Sequence, residues 1–294
     1  MPAAAELSSE ERVRDGVRNL VQEVAGVQRG EHVLVASEFG RVEQPLAELI
    51  GQQIQADGAE PFVLWTLPIP PGEENRPEPL IKTMEAFDKI IYNFPAGAPS
   101  ERQVSAVSFL DREAGPSRFT NNFVTLEMIG SDYARYSARV INAVYDLFEE
   151  IYSDAKTWRI TSVAGTDISG RVGKVSSRQA IFEGLRSPFT FTFPVRIHKP
   201  VGSYDAHGRI VVEHCGVPPV KIEHPPLLTI ENDRVVAVEG EDVSAYQQAL
   251  TANAERWGDN ANYLDSWHSG LHPKGPNIEG FIGHGCSARM HMHI

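Results

Sequence analysis

Apolar and polar positions alternate differently in the two halves of this chain. Val13, Val17, Leu20, Val21 and Val24 recur three and four apart, which predicts an amphipathic helix. Ser8 and Ser9 ahead of Glu10 and Glu11 supply an N-cap and an acidic first turn, and Gly26 and Gly30 close the element. His32–Ser37 (HVLVAS) is then a continuous β-branched run, the pattern of a strand buried on both faces. A second helix is predicted over Gln44–Asp57 through Leu46, Leu49, Ile50 and Ile54, ending at Gly58. Pro61–Leu67 and Lys89–Phe94 read as further strands, and this alternation predicts an open parallel α/β sheet. Pro68–Pro79 is proline-rich and is expected to be a loop over a site. Ile129–Ile151 is expected to be one long helix, with Tyr133, Tyr136, Val140, Val144 and Phe148 toward one side.

The pattern changes at Ser153–Trp158. Trp158–Val163, Phe189–Phe193, Arg209–Glu213, Leu227–Glu231 and Arg234–Val238 are short strand-like runs, with a tight hairpin turn at Glu231–Arg234. A last helix is predicted over Val243–Arg256. The expected architecture is an α/β chain of two domains: an open parallel α/β domain over residues 1–155, and a β-rich α+β domain over 156–294 that carries the chemistry.

The chemistry is concentrated at the end. Of ten histidines, His268, His272, His284, His291 and His293 fall within the last tenth of the 294 residues. On a strand, residues two apart share a face, so His291 and His293 would present their imidazoles to one site. With His268 they would give three nitrogen ligands and leave positions open, which suits non-haem iron or catalytic zinc. The bland alternative, surface histidines on a terminal strand, is weaker for three clustered residues than for one. His272, before Pro273, is a candidate to hydrogen-bond substrate. Asp265 and Glu279 flank the segment as a further ligand, an imidazole-orienting carboxylate or a general base, set against a solvated loop carboxylate. Cys286 reads as a small buried hydrophobe. Gly165-Thr166-Asp167 would either aim backbone amides at a site or form a simple turn. His198, His207, His214 and His224 sit at no ligand spacing and read as structural. Gly170, Gly173 and Lys174 fail the spacing of a phosphate loop.

Composition narrows the partners. A formal net charge of −12 disfavours nucleic acid and anionic membrane surfaces, and no apolar run is long enough to span a bilayer. The start of the chain lacks the basic and apolar regions of a secretory signal. Cys215 and Cys286 are too few for a disulfide framework, so a reduced cytoplasmic setting is expected.

Several segments together resemble the aminopeptidase T-like superfamily, and within it the ring-cleaving 2,5-dihydroxypyridine 5,6-dioxygenases of nicotinic acid catabolism. These are the stretch Val27–Leu67, Gly165-Thr166-Asp167, Phe189–Pro194, Gly208–Val212, Ile230–Val236, Gly270–Pro273, Gly275–Glu279 and the closing M-H-M-H-I. The resemblance implies a mononuclear Fe(II) enzyme that opens a hydroxylated N-heterocyclic or related aromatic ring with O₂. It also implies a homo-oligomer. For such a reaction His272, Glu279 and His284 are the candidates to move protons. In that family the metal is held by two histidines and an aspartate, the last pair written H-x-D. Here His291 matches the histidine and His293 stands in the aspartate position. Ser266 falls at the other histidine position in an ungapped match, with His268 two residues later; Asp265 and Ser266 are the alternatives for that third place. A Zn(II) hydrolase acting on an amide or small heterocycle is the second expectation. A binding protein with a vestigial site is the third. A two-metal peptidase is the weaker reading, since its glutamate is not found after Pro194.

Overall fold

The computed structural model describes residues 8–68, 77–93, 115–173, 190–193, 201–215, 220–241, 243–258, 261–269 and 290–293. The first helix, α1 (Ser9–Arg18), begins where the sequence placed it. Ser8 accepts from the Glu11 amide while the Glu11 carboxylate accepts from Ser8, a reciprocal cap that satisfies free donors at both residues. The helix continues through a π-helical stretch, Asn19–Val24. Strand β1 (His32–Glu38), helix α2 (Gln44–Ala56) and strand β2 (Glu60–Thr66) then form a parallel crossover unit.

Helix α3 (Glu78–Met84) starts inside the expected Pro68–Pro79 loop, with Pro79 in its first turn, where a missing N–H is harmless; residues 69–76 lie outside the described set. Strands β3 (Lys89–Asn93) and β4 (Ser117–Asn121) extend the sheet. The expected long helix is two elements: α4 (Leu126–Ile129) and α5 (Ala138–Asp154). Buried Asn19 explains the break. Its side-chain amide donates to the carbonyls of Ala134 and Tyr136 and accepts from the Ala138 amide, so the intervening turn is held by another element. Val140, expected on the apolar side, is 45% exposed; Ala138 and Ile141 are buried instead.

The first sheet is parallel, in the order β2-β1-β3-β4-β7, where β7 is Thr190–Phe193. Val33 and Val35 pack with α1 and α2 on one face, and Leu34 and Ala36 pack with Ile81 and Met84 of α3 on the other. This two-sided burial is what the continuous apolar run of β1 encodes. At the carboxyl ends of the strands, buried Asn93 donates to Ser37 and buried Asn121 donates to Asn93, a polar row that locks the register of three strands.

The second sheet comprises β5 (Thr157–Thr161), β6 (Asp167–Gly173), β8 (Val201–Val211), β11 (Leu227–Glu231), β12 (Arg234–Glu239), β13 (Ser266–Ser269) and β14 (Met290–His293). A small ribbon of β9 (His214–Cys215) and β10 (Val220–Lys221) stands beside it, and α6 (Ser244–Trp257) follows β12. The fold is therefore a parallel α/β sheet with helices joined to an antiparallel sheet. The second sheet begins near Ser153–Trp158, yet β7 returns to the first, so the chain passes between the sheets more than once. Among the described residues no helix is long and apolar enough to cross a membrane.

Strand β8 is the spine of the second sheet. It pairs with β6 along one edge and with β11 and β13 at opposite ends of the other. Gly208 makes the β6 contact possible: at φ +141°, a Cβ there would stand 2.3 Å from the Asp167 carbonyl oxygen and 2.6 Å from the Ile168 Cα. Gly208→Ala is expected to lower unfolding stability by about 2 kcal/mol or more, through backbone strain and overpacking together. Urea unfolding checks this, the midpoint falling at unchanged slope.

Candidate metal centre

His268, His291 and His293 lie on two short antiparallel strands whose register is set by the core beneath them. Ser266 pairs with His293, Trp267 with Met292, His268 with His291 and Ser269 with Met290. Trp267 is 4% exposed and packs edge-on against Trp158 at 5.7 Å and Tyr152 at 5.8 Å. Met292 packs on the same cluster. These two residues therefore fix the core-facing side. Since successive residues alternate, positions 266, 268, 291 and 293 take the other side. Ser266 on that side is also buried, and its hydroxyl donates to Asp265 at 3.2 Å.

This register meets the backbone condition for a shared ion. Directly opposed residues of an antiparallel pair stand about 4.5–5.5 Å apart at Cβ, within the span of two ligands to one metal. His268 opposes His291, and His293 is two residues on along the same face. Ser266 and His268 also share that face, so moving a donor by two residues along β13 keeps its side and changes only the opposed partner. For His268, His291 and His293 the backbone is described and the side chains are not. His272, Glu279 and His284 lie outside the described residues, as do Lys274, Cys286 and Arg289. Among the described side chains no group of three or more His, Cys, Asp or Glu is placed to hold a metal.

What positions these strands is a residue the sequence reading passed over. The Glu231–Arg234 hairpin forms as expected, with Asn232 at φ 49° and Asp233 at φ 64°. Asp233 is 3% exposed and points back into the sheet. Its Oδ1 accepts from the Ser203 hydroxyl at 2.6 Å and the Ala206 amide at 2.9 Å, and its Oδ2 accepts from the Tyr263 hydroxyl at 3.3 Å. Its own amide donates to the Ala206 carbonyl, and its carbonyl accepts from the Leu264 amide. The edge of β8 between its β11 and β13 pairings is thus closed by one turn residue. Immediately after Leu264, the Asp265 carbonyl accepts from the Ser203 amide and the chain enters β13. The signal was in the turn: Asp233 occupies a left-handed position where Gly is usual, and it brings a carboxylate that Gly lacks.

Of the remaining candidates, the segment from Gly165 to Asp167 takes a structural role. Gly165-Thr166-Asp167 closes the β5–β6 hairpin: buried Thr166 accepts from the Val211 amide through its hydroxyl. Asp167 forms a two-point ion pair with Arg159, whose hydrogen bonds hold its carboxyl below the usual range. His207 pairs across β8 and β6 with Ser169, and exposed His224 lies 3.3 Å from Glu241. His214 lies on β9, and His198 is outside the described residues.

Compared by sequence, the chain matches no protein-family model and no curated protein. Compared by structure, it superposes on 2,5-dihydroxypyridine dioxygenase from Pseudomonas putida KT2440 with a TM-score of 0.64, at 12% identity, covering 96% of this chain and 83% of that one. The chain shares that fold. It is also similar to AmpT from Thermus thermophilus, an aminopeptidase T, with a TM-score of 0.51 at 9% identity, over 89% of this chain and 78% of that one. At such identities the likeness is one of fold alone.

The Asp233 clasp yields a pH signature. Burial, followed by the Asp233 charge and hydrogen bond, raises the Tyr263 phenol above its ordinary value near 10. The unfolded chain therefore releases this proton first, and the stability contributed by neutral Tyr263 is present below that ordinary value and lost as pH rises through the folded one. Tyr263→Phe is expected to flatten the alkaline arm of a stability profile measured by urea unfolding. Asp233→Ala leaves buried donors at Ser203 and Ala206 unpaired, and is expected to lose about 2–4 kcal/mol at neutral pH.

Proposed function

We propose that this chain is a metal-dependent enzyme whose single metal is held by His268, His291 and His293, with ring-opening dioxygenation of a hydroxylated N-heterocycle or related aromatic as its reaction. The observation that carries the proposal is the β13–β14 register, which sets three histidine positions on one face. The fold shared with a dioxygenase supports it. Three imidazoles and no thiolate suit Fe(II), with Zn(II) as the alternative. A ferrous ion bound there would supply a common point of attachment for substrate and O₂.

The chain's own residues take the remaining tasks. Core packing of Trp267 and Met292 fixes the strand pair, so the ligand positions are held without help from a loop. Ser266 and Asp265 stand beside the His293 position, where the hydroxyl and carboxylate would orient an imidazole. His272, Glu279 and His284 are assigned to proton transfer with the substrate, and Lys274 or Arg289 to an anionic substituent. The partners are a small molecule and O₂, and the setting is a cytoplasmic homo-oligomer.

The likeness to AmpT favours a second reading, a hydrolase acting on an amide or small heterocycle with Glu279 as general base. One preparation separates the two. Metal is quantified in protein purified without a histidine tag, and O₂ uptake is then followed with hydroxypyridines and catechols after anaerobic Fe(II) loading. About one iron per chain and substrate-dependent O₂ consumption are expected. Zinc without O₂ uptake would favour the hydrolase, and no metal at all would leave a binding protein.

Substitution at the two C-terminal positions tests the ligand set. His291→Ala and His293→Ala are each expected to lose most of the bound metal, a drop in affinity of at least about a hundredfold. His293→Asp keeps a donor on the same face and is expected to retain it. Undiminished metal content in both alanine variants would remove both residues from the shell.

A further inference from the structure

The parallel sheet reverses its order at β1. Helix α2 leaves the carboxyl end of β1 over one face of the sheet and leads to β2, whereas α3 crosses the other face and leads to β3, on the far side of β1. Connections that part in this way open a crevice outside the carboxyl ends of β1 and β3, where sheets of this kind bind ligands.

Polar groups that the core does not use meet at that end. Glu38 closes β1 and is 1% exposed. It shares the α3 side of the sheet with Thr66, its register partner on β2, and with Tyr92 of β3. The Tyr92 hydroxyl donates to Glu38 Oε1 at 2.6 Å. Glu38 Oε2 has Arg41 Nε 3.4 Å away and accepts no hydrogen bond among the described residues. Arg41 Nη1 and Thr66 Oγ1 are likewise buried without a hydrogen-bond partner among the described residues. Buried polar atoms are rarely left so, and three side by side mark a recess that something polar fills. Its rim is open: Thr66 is only partly buried, the Arg41 side chain is 20% exposed, and a Cβ at Gly40 would meet nothing within 4 Å among the described residues.

The three atoms select the ligand. An acceptor on Glu38 stands beside a donor on Arg41, with a hydroxyl that can serve either way. The carboxylate repels an anion and the guanidinium repels a cation, so a charged group gains little. A neutral group with N–H beside C=O answers all three. Its N–H donates to Glu38 Oε2, and its carbonyl accepts from Arg41 Nη1 and Thr66 Oγ1. We infer that the carboxyl end of the parallel sheet is a binding site for a small neutral molecule bearing a cis-amide edge, a lactam or primary carboxamide, read by Glu38, Arg41 and Thr66. The site does not depend on the metal centre.

A matched pair of probes tests this. 2-Piperidone presents the cis-amide edge, and N-methyl-2-piperidone keeps the ring and carbonyl without the N–H. Titrated into the full chain and followed by NMR shift changes, 2-piperidone is expected to bind with a dissociation constant on the order of 1 mM, and the methylated ring about tenfold more weakly or worse. Glu38→Gln and Thr66→Val should each weaken 2-piperidone by about tenfold, and His291→Ala should not weaken it. Thr66→Val should also keep the urea midpoint of the free protein, because the hydroxyl it removes has no partner to lose. Each of four results would overturn the site: no saturable binding, which leaves the recess to water alone; equal binding of the two probes; binding that survives both Glu38→Gln and Thr66→Val; or binding lost in His291→Ala. A lowered midpoint in Thr66→Val would do so too, by giving the hydroxyl a structural bond.

Discussion

The second sheet depends on one buried carboxylate. Strand β8 is longer than either partner on its outer edge, so β11 and β13 cover its ends and leave a gap between them. A strand edge left unpaired inside a protein would strand backbone donors and acceptors, each worth about 1–3 kcal/mol when unsatisfied. Asp233 fills that gap from the hairpin turn, accepting from Ser203 and the Ala206 amide while its backbone serves Ala206 and Leu264. The same residue thereby delivers the chain to β13 at a fixed height. Register matters here more than strength. A slip of one residue would turn Ser266 and His268 to the core side and bring Trp267 out.

Trp267 guards against that slip from the other direction. Its indole fills the space between Trp158 and Tyr152, and no residue of similar size lies next to it in β13. The clasp sets where the strand begins, and the aromatic cluster sets which face turns inward. Two constraints with unrelated physics, a charge-assisted hydrogen-bond network and apolar packing, thus agree on one side for positions 266, 268, 291 and 293.

Much of this was legible in the sequence, and unevenly so. The parallel sheet was readable because β1 is buried on both faces, a condition that only a continuous apolar run such as Val33–Ala36 satisfies. The Glu231–Arg234 turn was readable from its residue types. The α4–α5 break was not, because it is enforced by Asn19 more than a hundred residues upstream, and local periodicity carries no trace of a distant side-chain amide. Strand β4 and the return of β7 to the first sheet were hidden for the same reason: parallel pairing joins segments remote in sequence. In the C-terminal segment the period of two between His291 and His293 announced a strand face, but the opposition of His268 to His291 required the partner strand. Asp233 went unnoticed because a turn aspartate is ordinarily solvated, and only its burial reveals what it accepts.

The two structural neighbours carry different activities on one fold, so the fold places a site without choosing its chemistry. On the proposed reading that choice falls to the ligand set. Two neutral imidazoles and a carboxylate leave a divalent ion with one net positive charge; three imidazoles leave it with two. The higher charge binds anionic substrates more strongly, acidifies bound water further and disfavours loss of an electron from the metal. The chain's overall negative charge acts against this only at long range, where salt screens it within about 10 Å. On that reading, position 293 bears directly on the choice between activating O₂ and activating water. It lies opposite Ser266, whose buried hydroxyl donates to Asp265. On that reading the upstream donor stands at His268, directly opposed to His291, and not at position 266.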